Sequence, residues 1–326
     1  MFVGPSVALE ASREPTEASA QLPDRIGIDL GGTKIATLKL SATGKVLYQQ
    51  RQATPQASYQ GILDALSKTI TAAQQAAGSS QTTTIGIGTP GARSSKTGLM
   101  KNSNTTVING QDLLGDLEKI CQQPIRMAND ADCFTLSEAV DGAGAGADLV
   151  FGVILGTGVG GGICLQQRIA NGPNAIVGEW GHNLMPLDRL PRELASALVR
   201  GRACYCGKTD CIETWLSGPG VSRTYREITE QSATALEIFS GSVPNTYRQM
   251  VFDLYCELAA LGLSTVINVI DPDCIILGGG LSNIEGLNQE IVSRLSPYVF
   301  SDHINTVVAK AKHGDASGVR GAAWLW

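Results

Sequence analysis

Residues 25–40 read RIGIDLGGTKIATLKL, and what their glycines connect decides the fold. Ile26 and Ile28 alternate with other residues up to Asp29. Gly31, Gly32, Thr33 and Lys34 follow, and a second strand pattern runs through Leu40. A third strand pattern lies within "TGKVLYQQR", after another glycine turn. The glycines therefore join strand to strand. A dinucleotide-binding fingerprint or a Walker-type loop leads from a strand into a helix N-terminus, so both are excluded. A glycine hairpin lets backbone N–H groups approach a phosphate, and Thr33 adds a hydroxyl. A plain tight turn would carry the same glycines.

A second stretch separates those two readings. LVFGVILGTGVGGGICLQQRIA, residues 149–170, repeats the design: a strand from Leu149 to Leu155, then Gly156, Thr157 and Gly158, then a second strand beginning around Gly160 and Gly161. Two such loops facing each other across a cleft would hold a nucleotide's phosphates from both sides. A third run, DCIILGGGLSN at 273–283, ends a buried strand in Gly278, Gly279 and Gly280, a flat surface on which an adenosine can pack.

Composition fits a folded enzyme of two domains at 326 residues. The net charge of −5 comes without a basic stripe, which argues against nucleic acid as a partner. No apolar run reaches the ~20 residues of a membrane span. Residues 1–22, rich in Ala, Ser, Glu and Pro, lack the features of a secretory signal or a transit peptide and read as a disordered tail. A cytoplasmic location is expected.

Stable disulfides are rare in that compartment, yet residues 204–213 read CYCGKTDCIE. The other five cysteines stand singly. Three thiols this close point to a metal before a redox cluster. Cys204, Cys206 and Cys211 supply three zinc ligands, and His182, within "GEWGH", lies closest upstream as the fourth of a Cys3His set. RMANDADCF places Asn129 and Asp130 at a strand end before a helical pattern. An Asp there suits a helix N-cap, and Asp132 suits first-turn helix charge.

The motifs DLGGTK, GTPG, KNSN, NDAD, GTGVGGG, GEWGH, CYCGKTDCIE and LGGGLSN together resemble the ROK family (repressor, open reading frame, kinase) of sugar kinases. The likeness runs from Arg25 to Trp326. Within the family, AVDGAGAGA, GEWGHN, CIETW and AKHGDASGVRGAAWLW look most like bacterial fructokinases of the manno(fructo)kinase type. Asp210 departs from the family's usual glycine before the third cysteine.

The resemblance implies a two-domain α/β fold of the actin-like ATPase type with a central nucleotide and sugar cleft. Residues 23–128 would form the small domain, 129–311 the large one with the zinc site, and a C-terminal helix within 312–326 would return to the small domain. It implies ATP-dependent phosphorylation of D-fructose at the 6-hydroxyl, with kinases for glucose, mannose or an N-acetylated hexosamine as the near alternatives. A sugar-responsive repressor is the distant one, and the tail is too short for its helix-turn-helix. Asp130 becomes the catalytic base, against the helix-cap reading. Gly91, Asn104, Asn129, Glu179, His182 and Glu213 become sugar contacts; for the two glutamates the bland reading is solvated surface charge. Asp29, Gly31, Gly32, Thr33, Lys34, Gly156, Thr157, Gly158, Gly160 and Gly278–Gly280 would serve ATP, with Asp29 holding Mg2+ through water. Zn2+ would be structural, with His182 giving one ring nitrogen to the metal and the other to the sugar. Members of the family are commonly homodimers.

Overall fold

The computed structural model describes residues 23–76, 82–103 and 105–326. The tail expected over residues 1–22 and the expected sugar contact Asn104 lie outside the described residues.

Twelve strands are present among the described residues. β1 (Asp24–Leu30), β2 (Lys34–Leu40), β3 (Val46–Ala53), β4 (Thr83–Thr89) and β7 (Ile125–Asn129) form one five-stranded sheet in the order β3-β2-β1-β4-β7; β5 (Ala92–Arg93) and β6 (Met100–Lys101) pair only with each other. β8 (Leu149–Leu155), β9 (Val159–Leu165), β10 (Arg168–Ile169), β11 (Cys274–Gly278) and β12 (Val307–Lys310) form the second sheet, ordered β10-β9-β8-β11-β12. The two share a plan. β1 pairs antiparallel with β2 and parallel with β4; β8 pairs antiparallel with β9 and parallel with β11. Each glycine hairpin thus feeds an antiparallel pair whose first strand also starts the parallel half.

The helices follow from their apolar spacing and caps. In α1 (Tyr59–Gln75), Ser58 accepts from the Gly61 amide, while Ile62, Leu66, Ile70 and Ala73 are buried along one face. α2 (Leu113–Cys121) covers the same sheet, and α3 (Asp130–Val140) leaves the end of β7 to lie on β8 and β9. Short helices α4 (Arg192–Ala197), α5 (Glu213–Leu216), α6 (Gly218–Thr229) and α7 (Ala235–Phe239) lead to α8 (Asn245–Ile270), then α9 (Leu287–Arg294). By length and apolarity α8 reaches what a membrane span requires, contrary to the sequence expectation. Its Leu254, Leu258, Leu261 and Ile267 are buried with Trp180 and Trp215, which assigns it to the core of the second half. α10 (Ser317–Ala323) packs on β1, β4 and α3. It ends at Ala323, short of the expected Trp326; beyond it Arg25 lies over the Trp324 ring, and the Trp326 indole N–H donates to the Ile85 carbonyl at 2.7 Å.

Glycines set the depth at which α3 and α10 sit. Gly152 and Gly162 face each other across β8 and β9, and a Cβ on either would lie 2.0 or 2.5 Å from Thr135 Oγ1 of α3. Gly27 and Gly86 face each other across β1 and β4, where a Cβ would meet the carbonyls of Val319 and Ala322 in α10 at 2.1 and 1.8 Å. The two helices also touch: a Cβ on Gly321 would lie 1.6 Å from the Cys133 carbonyl. Glu138 of α3, fully buried, accepts from the amides of Ala143, Lys312 and His313 and from the Ser317 hydroxyl. Gly321→Ala is therefore expected to lower stability by roughly 1–3 kcal/mol or more through overpacking. Gly218→Ala, whose Cβ would find ordinary contacts at 3.4 and 3.9 Å, changes it little. Thermal melts of the two variants check this, and similar losses in both would disprove the close-approach account.

Candidate active site

Asp130 is the first residue of α3, and its carboxylate Oδ1 accepts from the Ala131 amide at 2.8 Å. The helix cap is Asn129: its Oδ1 accepts from the Ala131 amide at 2.8 Å, and its Nδ2 donates to the Gly91 carbonyl at 2.9 Å. The capping role that suited Asp130 by sequence thus falls to its neighbour. Asn129, expected to face the sugar, has the protein on both ends of its amide and keeps one N–H for anything else. Gly91 is held at φ +78° against the Lys101 carbonyl, a conformation that a side chain would strain.

Three carboxylates converge here. Asp130 opens onto the cleft, yet protein crowds its carboxyl, so burial raises its pKa; the Ala131 amide opposes the rise and the Glu179 charge adds to it. Asp29, at the end of β1, is pushed up to about 6 by burial and by Asp130, with Lys34 and Arg51 pulling it back. Asp132 is pushed up to about 7 by burial, Asp130 and Glu179. Its Oδ1 is buried without a hydrogen-bond partner. The sequence reading took Asp132 for ordinary helix charge, and only the inward turn of α3 reveals it as a wall of the cleft. Raised carboxyls held close together are a mark of functional sites.

The cleft has a volume of 2160 Å³, above the ~300–1,000 Å³ of a pocket for one small molecule, so two substrates fit. Asp130, Glu179, His182 and Glu213 line it, along with Gly91 and Asn129. The second glycine hairpin, Gly156–Gly158 with Gly160, forms part of the wall. It is closed by the Gly156 amide donating to the Gly158 carbonyl at 3.0 Å, and the Glu213 carboxylate accepts from the Val159 amide at 3.0 Å. A Cβ on Gly156 or on Gly280 would meet no protein atom within 4 Å, so packing does not demand glycine at either place. Gly278 and Gly279 do have packing reasons, since a Cβ would strike Phe134 or the Leu155 carbonyl. The first hairpin, Gly31–Lys34, is closed by the Gly31 amide on the Lys34 carbonyl at 2.9 Å. Neither it nor Asp29 nor Gly278–Gly280 belongs to the lining of this cleft. Asp29 is tied to the site by the charge of Asp130, which helps raise its pKa.

At the far end of the cleft the ligand atoms of His182, Cys204, Cys206 and Cys211 all lie within 4.8 Å of one another. Cys206 and Cys211 are 3.6 Å apart at sulfur, and His182 Nδ1 is 3.6 Å from Cys204 Sγ. A tetrahedral cation with ~2.3 Å bonds to sulfur and ~2.0 Å to nitrogen separates its ligands by about these distances, so the set fits zinc. Arg202 anchors the segment. Fully buried, it lies over the Trp215 ring and bonds Glu227, Thr224 and the Thr214 carbonyl. Asp210 takes the left-handed conformation at φ +53°, and its carboxylate accepts from the amides of Gly201 and Arg202 at 2.8 and 2.9 Å, which compensates for the missing glycine. His182, expected to face a sugar hydroxyl, lines the cleft, with its Nε2 2.9 Å from the Tyr205 hydroxyl. The sequence reading passed over Tyr205.

Two sheets built on one plan, each with a glycine hairpin, and a cleft with a carboxylate at the start of the connecting helix define the actin-like sugar-kinase fold. The chain belongs to the ROK family, whose model matches residues 25–326. It is 36% identical over 300 residues to an N-acetyl-D-glucosamine kinase of Salmonella heidelberg, covering 92% of this chain and 98% of the relative. The ROK hexokinase of Thermus thermophilus superposes with a TM-score of 0.79 at 25% identity, over 93% of this chain and 97% of that one. A ROK glucokinase from Streptomyces griseus, in complex with glucose and AMPPNP, gives 0.71 at 26% identity, over 93% and 98%.

The raised carboxyls make ligand-free stability depend on pH. Asp29's pKa in the fold, about 6, lies above its unfolded value near 3.9. The fold therefore binds that proton more tightly, and the associated stability is present below the unfolded value and lost as pH rises through about 6. Asp29→Asn, which keeps the shape without the charge, should melt higher than wild type near neutral pH and equally in acid below the ordinary carboxylate range. A melting difference that does not change with pH would contradict the buried-charge account.

Proposed function

We propose that this chain transfers the γ-phosphoryl group of ATP to the 6-hydroxyl of N-acetylglucosamine. The observation that carries the reaction type is the placement of Asp130: in the first turn of α3, lining a cleft with room for two substrates, beside a glycine hairpin whose Gly156 has an open face. The family membership and the 36% identity to an N-acetyl-D-glucosamine kinase support the substrate. Fructose, implied by the motif likeness, is the second reading and a second arm of the same assay.

In this reading Asp130 accepts the proton of the 6-hydroxyl as that oxygen attacks phosphorus, and its raised pKa brings it nearer the operating pH, where a base works best. The backbone amides of Gly156–Gly158 and Gly31–Thr33, with Lys34, orient the phosphates and neutralise their charge, which is most of what phosphoryl transfer asks of a protein. Asp29 would hold Mg2+ through water, and the ion would offset charge on the phosphates. Gly91, Asn104, Asn129, Glu179, His182 and Glu213 position the sugar. Zn2+ would be held by His182, Cys204, Cys206 and Cys211; with every ligand position filled by protein, it would serve as a staple for Glu213 and His182. Gly278–Gly280 would flank the adenosine. The domain boundary near residue 128, the cytoplasmic location and the homodimer belong to the same proposal.

A coupled assay comparing kcat/KM across N-acetylglucosamine, N-acetylmannosamine, fructose, mannose and glucose tests the substrate, with N-acetylglucosamine expected first. A higher value for fructose would overturn that choice and leave the kinase standing. Asp130→Asn should lower kcat by roughly 10²–10⁴, the usual contribution of a positioned base, with sugar binding retained in calorimetry. More than half the wild-type kcat would remove Asp130 from the base role.

A further inference from the structure

One stretch of the cleft wall is apolar where its neighbours are charged. Ala175, Ile176 and Val177 line the cleft on the segment that leads into Glu179. Ile169 of β10 and Ala170 after it continue the same lining. Val177 is half-buried, but Ile176 is 58% exposed, so core packing does not account for it.

The backbone holds this ridge in place from both ends. Ala175 takes the left-handed conformation at φ +52°, and its amide donates to the Gly172 carbonyl at 3.1 Å. Gly178 is left-handed too, at φ +87°, and seats the segment on β9, where a Cβ would lie 2.2 Å from the Gly161 carbonyl. Between these two points the Ile176 carbonyl accepts from the Glu179 amide at 3.3 Å, which ties the ridge to the carboxylate beside it. A sugar hydroxyl set against such a wall loses water and finds no partner. An acyl chain set there gains by leaving water.

We propose that Ala175, Ile176 and Val177 receive the acyl group of a 2-acylamino hexose, and that this cleft takes N-acylhexosamines with chains longer than acetyl. This rests on the N-acetylglucosamine kinase reading of the same cleft, and it adds which residues meet the acyl group and how long that group can be. The ridge adjoins Glu179, which holds the sugar ring in that reading, so a ring substituent reaches it without a second binding site. Its outer side is open, as the exposure of Ile176 shows, and no back wall stops a longer chain. The reacting 6-hydroxyl lies across the sugar ring from the 2-substituent, so chain length acts on sugar binding and leaves the chemical step alone.

The test measures kcat and KM for N-formyl-, N-acetyl-, N-propionyl- and N-butanoylglucosamine in wild type and in Ile176→Ser, with a thermal melt to check that the variant folds. In wild type the sugar KM should fall by roughly two- to fourfold per added methylene, the worth of burying one. The kcat and the ATP KM should stay level along the series. Ile176→Ser should flatten the trend, with the butanoyl sugar losing most and the formyl sugar least. Val177→Thr, which keeps the shape and adds a hydroxyl, should flatten it too and serves if the first variant folds poorly. A purely structural role would raise every KM by one factor and leave the trend intact, and that result overturns the proposal. A flat or rising KM along the wild-type series overturns it as well. So does phosphorylation of glucose or fructose with none of the acyl sugars, which leaves the kinase standing. If wild type phosphorylates no hexose at all, the kinase reading fails and takes this inference with it, a result distinct from the others.

Discussion

Everything in this molecule hangs on the contact between α3 and α10, two helices that pack on different sheets and approach closely enough at Gly321 to leave no room for a Cβ. Each is let down onto its own sheet by a facing pair of glycines, Gly152 with Gly162 and Gly27 with Gly86. Where they cross, Gly321 lies beneath the Cys133 carbonyl. Such contacts have two settings, seated or clashing, and little in between, since backbone atoms cannot swing aside as a side chain can. The buried Glu138 of α3 adds direction by accepting from Ser317 at the start of α10 and from the Lys312 amide in the segment leading to it. Asp130 opens α3 and Asp29 ends the strand on which α10 lies, so the same contact sets the spacing of the site's carboxylates.

That spacing explains the charge in the cleft. Asp29, Asp130 and Asp132 repel one another and are crowded by protein, and the nearest cations that oppose them at Asp29 are Lys34 and Arg51. A protein free to maximise its own stability would not gather three such groups; sites of function are where strain of this kind is kept. A divalent cation arriving with a polyphosphate would relieve it, because the ion's charge outweighs that of any single side chain nearby.

Much of the fold was legible in the sequence, because period-2 apolar runs around Gly/Thr turns leave few arrangements open. The two strands around Gly31–Lys34, the strand from Leu149 to Leu155 and the cysteine cluster lie where the residue patterns put them. The glycines misled in part. Gly278 and Gly279 read as a surface for adenosine, yet Phe134 and the Leu155 carbonyl leave no room for a Cβ there, just as Trp180 and Thr135 leave none at Gly161 and Gly162. A close approach between elements distant in sequence leaves the same letter as a phosphate cradle. Asp132 and Tyr205 escaped notice for a related reason. An acid in a first helical turn and a tyrosine in a loop are ordinary locally, and only the fold shows which way they face. The exchange of roles between Asn129 and Asp130 turned on a single rotamer, below what spacing can resolve.

The glycine seat under α10 also bears on the order in which the chain matures. Ala36, Leu38 and Leu40 on β2 are covered by Val319 and Ala323, and Arg25 reaches the Trp326 carbonyl across a sequence separation of 301 residues. During synthesis the first sheet emerges early and stays bare on this face until α10 leaves the ribosome. Closure over so long a loop is slow, and an uncovered apolar sheet invites association with other chains meanwhile. Folding of the first half is thus expected to wait on the end of the chain more than that of the second half, whose core around α8 is assembled from neighbouring segments.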